Sequence, residues 1–329
     1  MSRLAARAEA FALHTPFRIS RGVKTVAEVV TVEIAQGDAV GRGEGVPYAR
    51  YGETIDGTLA AIEDTRGAIE GGADRAALLD LLPPGAARNA IDCALWDLEA
   101  RLGGTAVSAA TGIALPPRIA SALTVVIDTP EAMGRAAAAL AGVPLIKVKV
   151  DASDPAAQLR AVRAAAPGPR LIVDPNESWT VPLIAELRPL LAELRVDLLE
   201  QPVPADDDDA LLGFDAGVPI AADEAVHVAA DLDRVAARYS VVNVKLDKAG
   251  GLTAALELAH AARARGLGLM TGCMVSTSLS IAPALRIAAM SDFVDLDGPI
   301  WLAADRPGGV RDADGWMTPP ALGFWGDAA

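Results

Sequence analysis

Seven polar side chains recur at nearly constant intervals in the second half of this 329-residue chain, each closing a short apolar segment: Lys149, Asp174, Glu200, Asp223, Lys245, Cys273 and Asp297. Successive members stand 25, 26, 23, 22, 28 and 24 residues apart, about the length of one strand and one helix with their turns. Three in succession are carboxylates. Brought to one place they repel one another unless a cation sits among them, and hard oxygen ligands suit Mg²⁺, which keeps positions open for water or an anionic substrate. Lys149 and Lys245 flank the three carboxylates. On the second and sixth members of a ring of strands, two lysines face each other across the axis. That layout suits removing a proton from one face of a carbon and returning it on the other. Lys147, two residues before Lys149, points the same way if the segment is a strand, and its charge supports Lys149.

Eight apolar segments can position these groups: 123–127, 145–150, 171–174, 198–201, 220–223, 241–246, 269–273 and 293–297. They alternate with Ala-, Leu- and Arg-rich helical patterns, the texture of βα units around a parallel sheet, and eight is the barrel number. The expected fold class is α/β: a modified TIM barrel, (β/α)7β, with an N-terminal α+β capping domain. The expected divisions are 1–118 for the capping domain, 119–299 for the barrel with its catalytic site, and 300–329 for a C-terminal segment returning toward the cap. With about 22 residues per unit, the barrel helices must be short. In the cap, alternation over 29–34 followed by Gly41-Arg42-Gly43-Glu44-Gly45 reads as an antiparallel meander with turns. The stretches 54–70 and 86–102 read as amphipathic helices.

Composition narrows the function classes. With 52% hydrophobic and 22% charged residues, the chain is globular rather than disordered. Its 29 Lys plus Arg against 43 Asp plus Glu leave a net charge of −14, which disfavours nucleic acid and anionic membrane surfaces as partners. Cys93 and Cys273 lack any CxxC or Cys/His spacing and read as buried thiols. The uncharged stretch 266–285 has the length of a membrane span, yet Thr271, Ser276, Thr277, Ser278 and Ser280 make it strand, loop and helix start. Glu9 and His14 interrupt any apolar leader after Arg3 and Arg7, so a cytoplasmic location is expected. The acidic run Asp206 to Asp209 reads as a solvated loop, as do Asp247 and Lys248 just past the sixth strand. His14, His227 and His260 show no metal spacing, and only His227 is expected near the mouth.

Lys147-Val148-Lys149, Asp174-Pro175-Asn176-Glu177-Ser178-Trp179, Glu200-Gln201-Pro202, Asp223-Glu224 and Asn243-Val244-Lys245-Leu246-Asp247-Lys248-Ala249-Gly250-Gly251, on successive strands, resemble the enolase superfamily in its muconate-lactonizing-enzyme subgroup. Within that subgroup the chain most resembles the L-Ala-D/L-Glu dipeptide epimerases. Leu13-His14-Thr15-Pro16-Phe17, the run from Gly43 to Glu53, Ala86-Ala87-Arg88-Asn89-Ala90 and Asp295-Leu296-Asp297-Gly298-Pro299 all recur there, nearly end to end.

The resemblance implies one Mg²⁺ per active site on Asp174, Glu200 and Asp223, with Lys149 and Lys245 as the acid/base pair and Lys147 in support. It implies a dipeptide substrate, its N-terminal ammonium held by Asp295 and Asp297. The glutamyl side-chain carboxylate would meet Arg21 or Arg18 in the N-terminal loop that closes over the mouth. The reaction implied is a two-base 1,1-proton transfer through an enediolate, epimerising L-Ala-L/D-Glu in the recycling of murein peptides. Pro175 departs from the family pattern, which commonly has a small residue there; it removes one N–H at the edge of the mouth and should leave metal binding intact. Related proteins also racemise N-acylamino acids, cycloisomerise, or make o-succinylbenzoate. N-acylamino acid racemisation is the runner-up, because it uses the same lysines and metal without ammonium-binding carboxylates. Acid-sugar dehydration ranks low, since this seventh strand ends in Thr271-Gly272-Cys273 where dehydratases place a histidine. A homo-oligomer is compatible with the sequence.

Overall fold

The computed structural model describes residues 2–328. Its N-terminal part is built on a three-stranded antiparallel sheet, Arg3–Ile19, Gly22–Gln36 and Ala39–Gly45, in that order. The first two strands form a long hairpin in which Phe17 pairs with Lys24 and Ile19 with Gly22, so its tip lies at Ser20 and Arg21. Gly41, Gly43 and Gly45 do not form a turn. They lie within the third strand, two apart and therefore on one face, and the helix Ala86–Gly103 rests directly on that face. A Cβ at these positions would fall 2.1, 2.1 and 2.2 Å from the carbonyl oxygens of Ala94, Ala90 and Ala86. The strand is glycine on this side because helix backbone occupies the space of the side chains.

Other helices of the cap include Ile55–Glu70, capped by the Thr54 side chain, and the short Arg75–Leu81, capped by Asp74. Leu4, Val32, Ile34, Ile62, Ile91 and Leu95 form the apolar core between these helices and the sheet.

All eight barrel strands are present: Leu123–Val125, Leu145–Lys149, Arg170–Asp174, Leu198–Glu200, Ile220–Ala222, Val241–Val244, Gly268–Gly272 and Phe293–Asp295. Each pairs in parallel with the next. The eighth meets the first where Ala122 N donates to Val294 O at 2.8 Å and Leu296 N to Ser121 Oγ at 2.9 Å, which closes the ring. Ala122, Leu145, Ile172, Leu198, Ala221, Val241, Met270 and Phe293, one per strand, plug its N-terminal end with apolar volume. The polar groups are thereby left to the C-terminal end, where barrel sites lie.

The crossover helices are short. Pro130–Ala139, Pro155–Ala165 and Val181–Glu193 start with proline in the first turn behind Thr129, Asp154 and Thr180 caps. Leu252–Ala264 and Ser278–Ala288 follow later strands, and the fifth crossover carries the 3-10 turn Ala229–Asp231 and the short helix Leu232–Val235. The acidic run is not uniformly solvated: Asp208 is buried, accepting from Arg234 and from the Tyr239 hydroxyl at 3.0 Å.

The chain end runs back to the cap. Trp325 Nε1 donates to Arg42 O at 3.0 Å and Cys93 O at 3.1 Å, and the Arg306 guanidinium pairs with Glu9 at 2.8 Å and Glu44 at 2.9 Å. Among the described residues no helix is long and apolar enough to cross a membrane.

Candidate active site

The open end of the barrel, roofed by the hairpin tip and the 48–51 loop of the cap, holds a cavity of about 490 Å³. That volume suits a small-molecule ligand. Lys147, Lys149, Asp223, Lys245, Cys273, Asp295 and Asp297 line it from the strand ends, as the spacing predicts. Asp174 and Glu200 sit just below the floor, fully buried. Parallel pairing in register explains the convergence, because Lys149 faces Asp174 directly across the second and third strands.

Lysine ammonium groups offset the charge of the buried carboxylates. Lys147 Nζ lies 3.0 Å from Asp174 Oδ2, 2.7 Å from Glu200 Oε2 and 2.8 Å from Asp295 Oδ2. Lys149 Nζ stands 2.5 Å from Asp174 Oδ2, and Lys245 Nζ 2.7 Å from Asp223 Oδ2. Burial works against the Lys147 charge, but Asp295, Glu200 and Asp174 outweigh it and hold this ammonium well above the ordinary lysine range. Burial likewise opposes the Lys245 charge, and Asp223 overcomes it. Glu200 is the carboxylate left short of positive charge: burial and the neighbouring Asp174 push it up to about 7.

The donor set fits a hard cation. Three carboxylates end adjacent strands, Asp174 and Glu200 already converge on one ammonium, and Glu200 Oε2 has no hydrogen-bond partner of proper geometry. Among the described residues no three acidic, Cys or His side chains stand in a finished metal shell. Each carboxylate is turned toward a lysine instead. Pro175 leaves the local turn intact, its carbonyl accepting from the Ser178 hydroxyl at 2.7 Å.

Across the cavity, Asp297 Oδ2 accepts from Thr124 N at 2.9 Å and Trp301 Nε1 at 3.2 Å, while Asp295 Oδ1 has no partner. Burial and the Asp295 charge push Asp297 up to about 6. Among the described residues this corner of the cavity has no counter-cation beyond Lys147, so a ligand ammonium entering it would relieve the repulsion.

The three cationic side chains near the hairpin tip, Arg18, Arg21 and Lys24, go different ways. Arg18 is exposed and outside the cavity lining, so it is not a cavity residue. Arg21 lines the cavity but is engaged, reaching Glu224 at 2.6 Å, Glu177 and the Tyr48 hydroxyl at 3.0 Å, and Asn176 O at 3.2 Å. Arg50 closes on the same Glu177 with two bonds at 2.9 and 3.0 Å. Lys24, opposite Phe17 in the hairpin, also lines the cavity. It lies over the Tyr48 ring at 5.2 Å and makes no ion pair with the described residues. Burial lowers its pKa.

Sequence reasoning assigned no role at the mouth to Lys24, Glu177 or Glu224. A signal for Lys24 existed in its place three residues after Arg21, near the tip of an expected closing loop. Asp247 and Lys248, expected in solvent, are both buried, and His227 stacks edge-on against Tyr51 at 4.6 Å beside the mouth.

Residues 1–112 match the family model of the mandelate racemase/muconate lactonizing enzyme N-terminal domain, and residues 131–324 match that of the enolase C-terminal domain-like family. The chain is 48% identical over 299 residues to an L-Ala-D/L-Glu epimerase of Escherichia coli (strain K12), covering 90% of this chain and 93% of the relative. It is 41% identical over 302 residues to an N-acetyl-D-glutamate racemase of Pseudoalteromonas sp, covering 91% and 96%. An enolase family member from Agrobacterium tumefaciens with homology to dipeptide epimerases, solved with bound sodium and L-Ala-L-Glu, superposes with a TM-score of 0.96 at 44% identity over 99% of this chain and 100% of that one.

Proposed function

The chain belongs to the mandelate racemase/muconate lactonizing enzyme family of the enolase superfamily, and from that premise we propose that it is a dipeptide epimerase. It inverts the α-carbon of the C-terminal residue of L-Ala-L-Glu and L-Ala-D-Glu, the stereochemistry of murein-derived dipeptides. The observation that carries this reading is the cavity itself, which is lined by two strand-end lysines and by the Asp295–Asp297 pair, whose ammonium partner among the described residues is Lys147 alone.

In this reading Asp174, Glu200 and Asp223 hold Mg²⁺, which when bound supplies Lewis-acid stabilisation for charge developing on the substrate carboxylate. Lys149 and Lys245 work from opposite faces: one removes the α-proton, and the other returns a proton to the planar carbon. Asp223 holds Lys245 charged, ready to deliver a proton. For Lys245 to act as base, that carboxylate has to turn away from it. Lys147 stays charged and ties the floor to Asp295. Asp295 and Asp297 receive the substrate ammonium, and Lys24 receives the glutamyl side-chain carboxylate, because Arg21 is already bound to Glu224 and Glu177.

N-acetylglutamate racemisation is the second reading, favoured by the 41% identical racemase. The acid pair ranks it lower, since an N-acyl group brings no ammonium to satisfy it. Incubation in deuterated water separates the two. L-Ala-L-Glu should acquire deuterium at the glutamyl α-carbon and epimerise, faster than N-acetylglutamate racemises. Lys149→Ala and Lys245→Ala should each abolish epimerisation while leaving exchange on at most one epimer. Preference for N-acetylglutamate would install the second reading, and full epimerisation by either variant would remove the two-base assignment.

A further inference from the structure

Four lysines surround the carboxylates of this site, and one of them does not face the cavity. Lys248 belongs to the helical turn Leu246–Ala249 just past the sixth strand and is 2% exposed. Lys147, Lys149 and Lys245 line the cavity, whereas Lys248 does not. Its Nζ donates to Asp223 Oδ1 at 2.7 Å, to the Asp223 carbonyl oxygen, and to Asn243 O at 3.1 Å. An ammonium has three protons, and here all three are used within the protein.

The two oxygens of Asp223 therefore play different parts. Oδ1 is pinned by a lysine that also grips the main chain of the same residue, so side chain and backbone are clamped by one group. Oδ2 points to the cavity side, where it meets Lys245 at 2.7 Å. Asn243, whose carbonyl Lys248 holds, donates its own Nδ2 to Glu200 Oε1 at 2.8 Å. One buried ammonium thus acts on two of the three carboxylates, directly on Asp223 and through Asn243 on Glu200.

We propose that Lys248 is a positioning residue for the cation of this site, fixing Asp223, and through Asn243 also Glu200, so that Asp223 Oδ2 can pass from Lys245 to the metal without a rotamer search. The proposal rests on the Mg²⁺ reading above. A lysine buried this deeply is costly unless its contacts are used, and a structural tie between turn and strand would be served as well by an apolar side chain. Outer partners of ligating side chains typically cost about 10- to 100-fold in metal affinity when removed.

The test is Mg²⁺ titration by calorimetry, with thermal midpoints in chelator and in saturating Mg²⁺. Lys248→Met should weaken Mg²⁺ binding about 10- to 100-fold and shrink the Mg²⁺-induced rise in midpoint. Lys248→Gln keeps a donor toward Asp223 and should fall between the Met variant and wild type; it also carries the test if the Met variant does not fold. A purely structural role would lower the midpoint equally with and without Mg²⁺ and leave affinity unchanged, which would overturn the proposal while sparing the metal reading. Wild-type protein that binds no Mg²⁺ would remove both.

Discussion

At the scale of single residues, two cations at the hairpin tip line the cavity in different states: Arg21 is bound to Glu177 and Glu224, whereas Lys24 makes no ion pair with the described residues. Lys149, Asp174, Glu200, Asp223 and Lys245 can be read from the sequence because one strand and one helix set their spacing, and the ring brings them together whatever the side chains do. The hairpin cations could not be ranked that way. Their directions depend on how the tip docks, which Glu177 and Glu224 decide by claiming Arg21. Asp247 and Lys248 were read as solvated because charges after a strand usually are; here Asp223 waits behind one, and Val46 and Asn89 above the other. The consequence for specificity is testable. A charge-assisted hydrogen bond is worth about 1.5 to 3 kcal/mol, so Lys24→Met should raise KM for L-Ala-L-Glu by roughly 10- to 150-fold. An L-Ala dipeptide with an apolar second residue should be affected much less. Arg21→Met, by unlatching the hairpin, should slow both substrates alike. Steady-state kinetics with the two dipeptides checks the assignment, and equal losses in Lys24→Met would remove Lys24 from the glutamyl subsite.

Among the secondary-structure elements, the barrel strands were legible as apolar runs between turns. Their C-terminal limits fell short of expectation because the chain leaves the ladder to present its polar groups: Asp223, Lys245 and Cys273 each sit one residue beyond the last paired position. The glycine run of the cap belongs to the expected antiparallel meander, but within a strand rather than at a turn, for a definite physical reason. Glycine usually marks turns, yet three glycines at a period of two describe a strand face, and Ala86, Ala90 and Ala94 at a period of four describe the helix face that meets it. Neither pattern signals the contact until both are set side by side. Gly43→Ala should therefore lower the thermal midpoint by roughly 2 °C or more, because overpacking against fixed backbone costs about 1 to 3 kcal/mol. Gly67→Ala, in the cap helix Ile55–Glu70, meets nothing within 4 Å at an ordinary helical backbone conformation and is the control. The Gly43 effect shows in differential scanning fluorimetry; equal midpoints for Gly43→Ala and wild type would mean the helix can withdraw without penalty.

For the whole molecule, the cap is held on the barrel by carboxyl groups that the folded state prefers to protonate. Asp247 Oδ1 accepts from Val46 N at 2.9 Å and Asn89 Nδ2 at 2.7 Å, and Asp92 accepts from Thr253 N at 3.0 Å and the Thr253 hydroxyl at 2.6 Å. Both bridge the two parts of the chain. Burial raises each, with Glu53 and Glu44 adding to the effect at Asp247, to about 7 for Asp247 and about 6 for Asp92. An unfolded aspartate titrates near 3.9, so between about pH 4 and 7 the folded protein binds more protons than the unfolded chain. In that window stability falls as pH rises. The ion-paired carboxylates held low, such as Glu9 and Asp174, act in the opposite sense, but only at more acid pH. Asp247→Asn isolates one contribution, because a carboxamide oxygen can accept the same two hydrogen bonds while the buried charge is gone. Its thermal midpoint relative to wild type should climb steadily from pH 5 to pH 8, by roughly 2 °C or more over the interval. Both proteins are to be scanned at equal ionic strength with chelator present, so that the metal carboxylates contribute identically. A difference that stays flat across that range, or falls, would show that Asp247 is already charged at pH 5 and that the cap is seated by an ionised carboxylate.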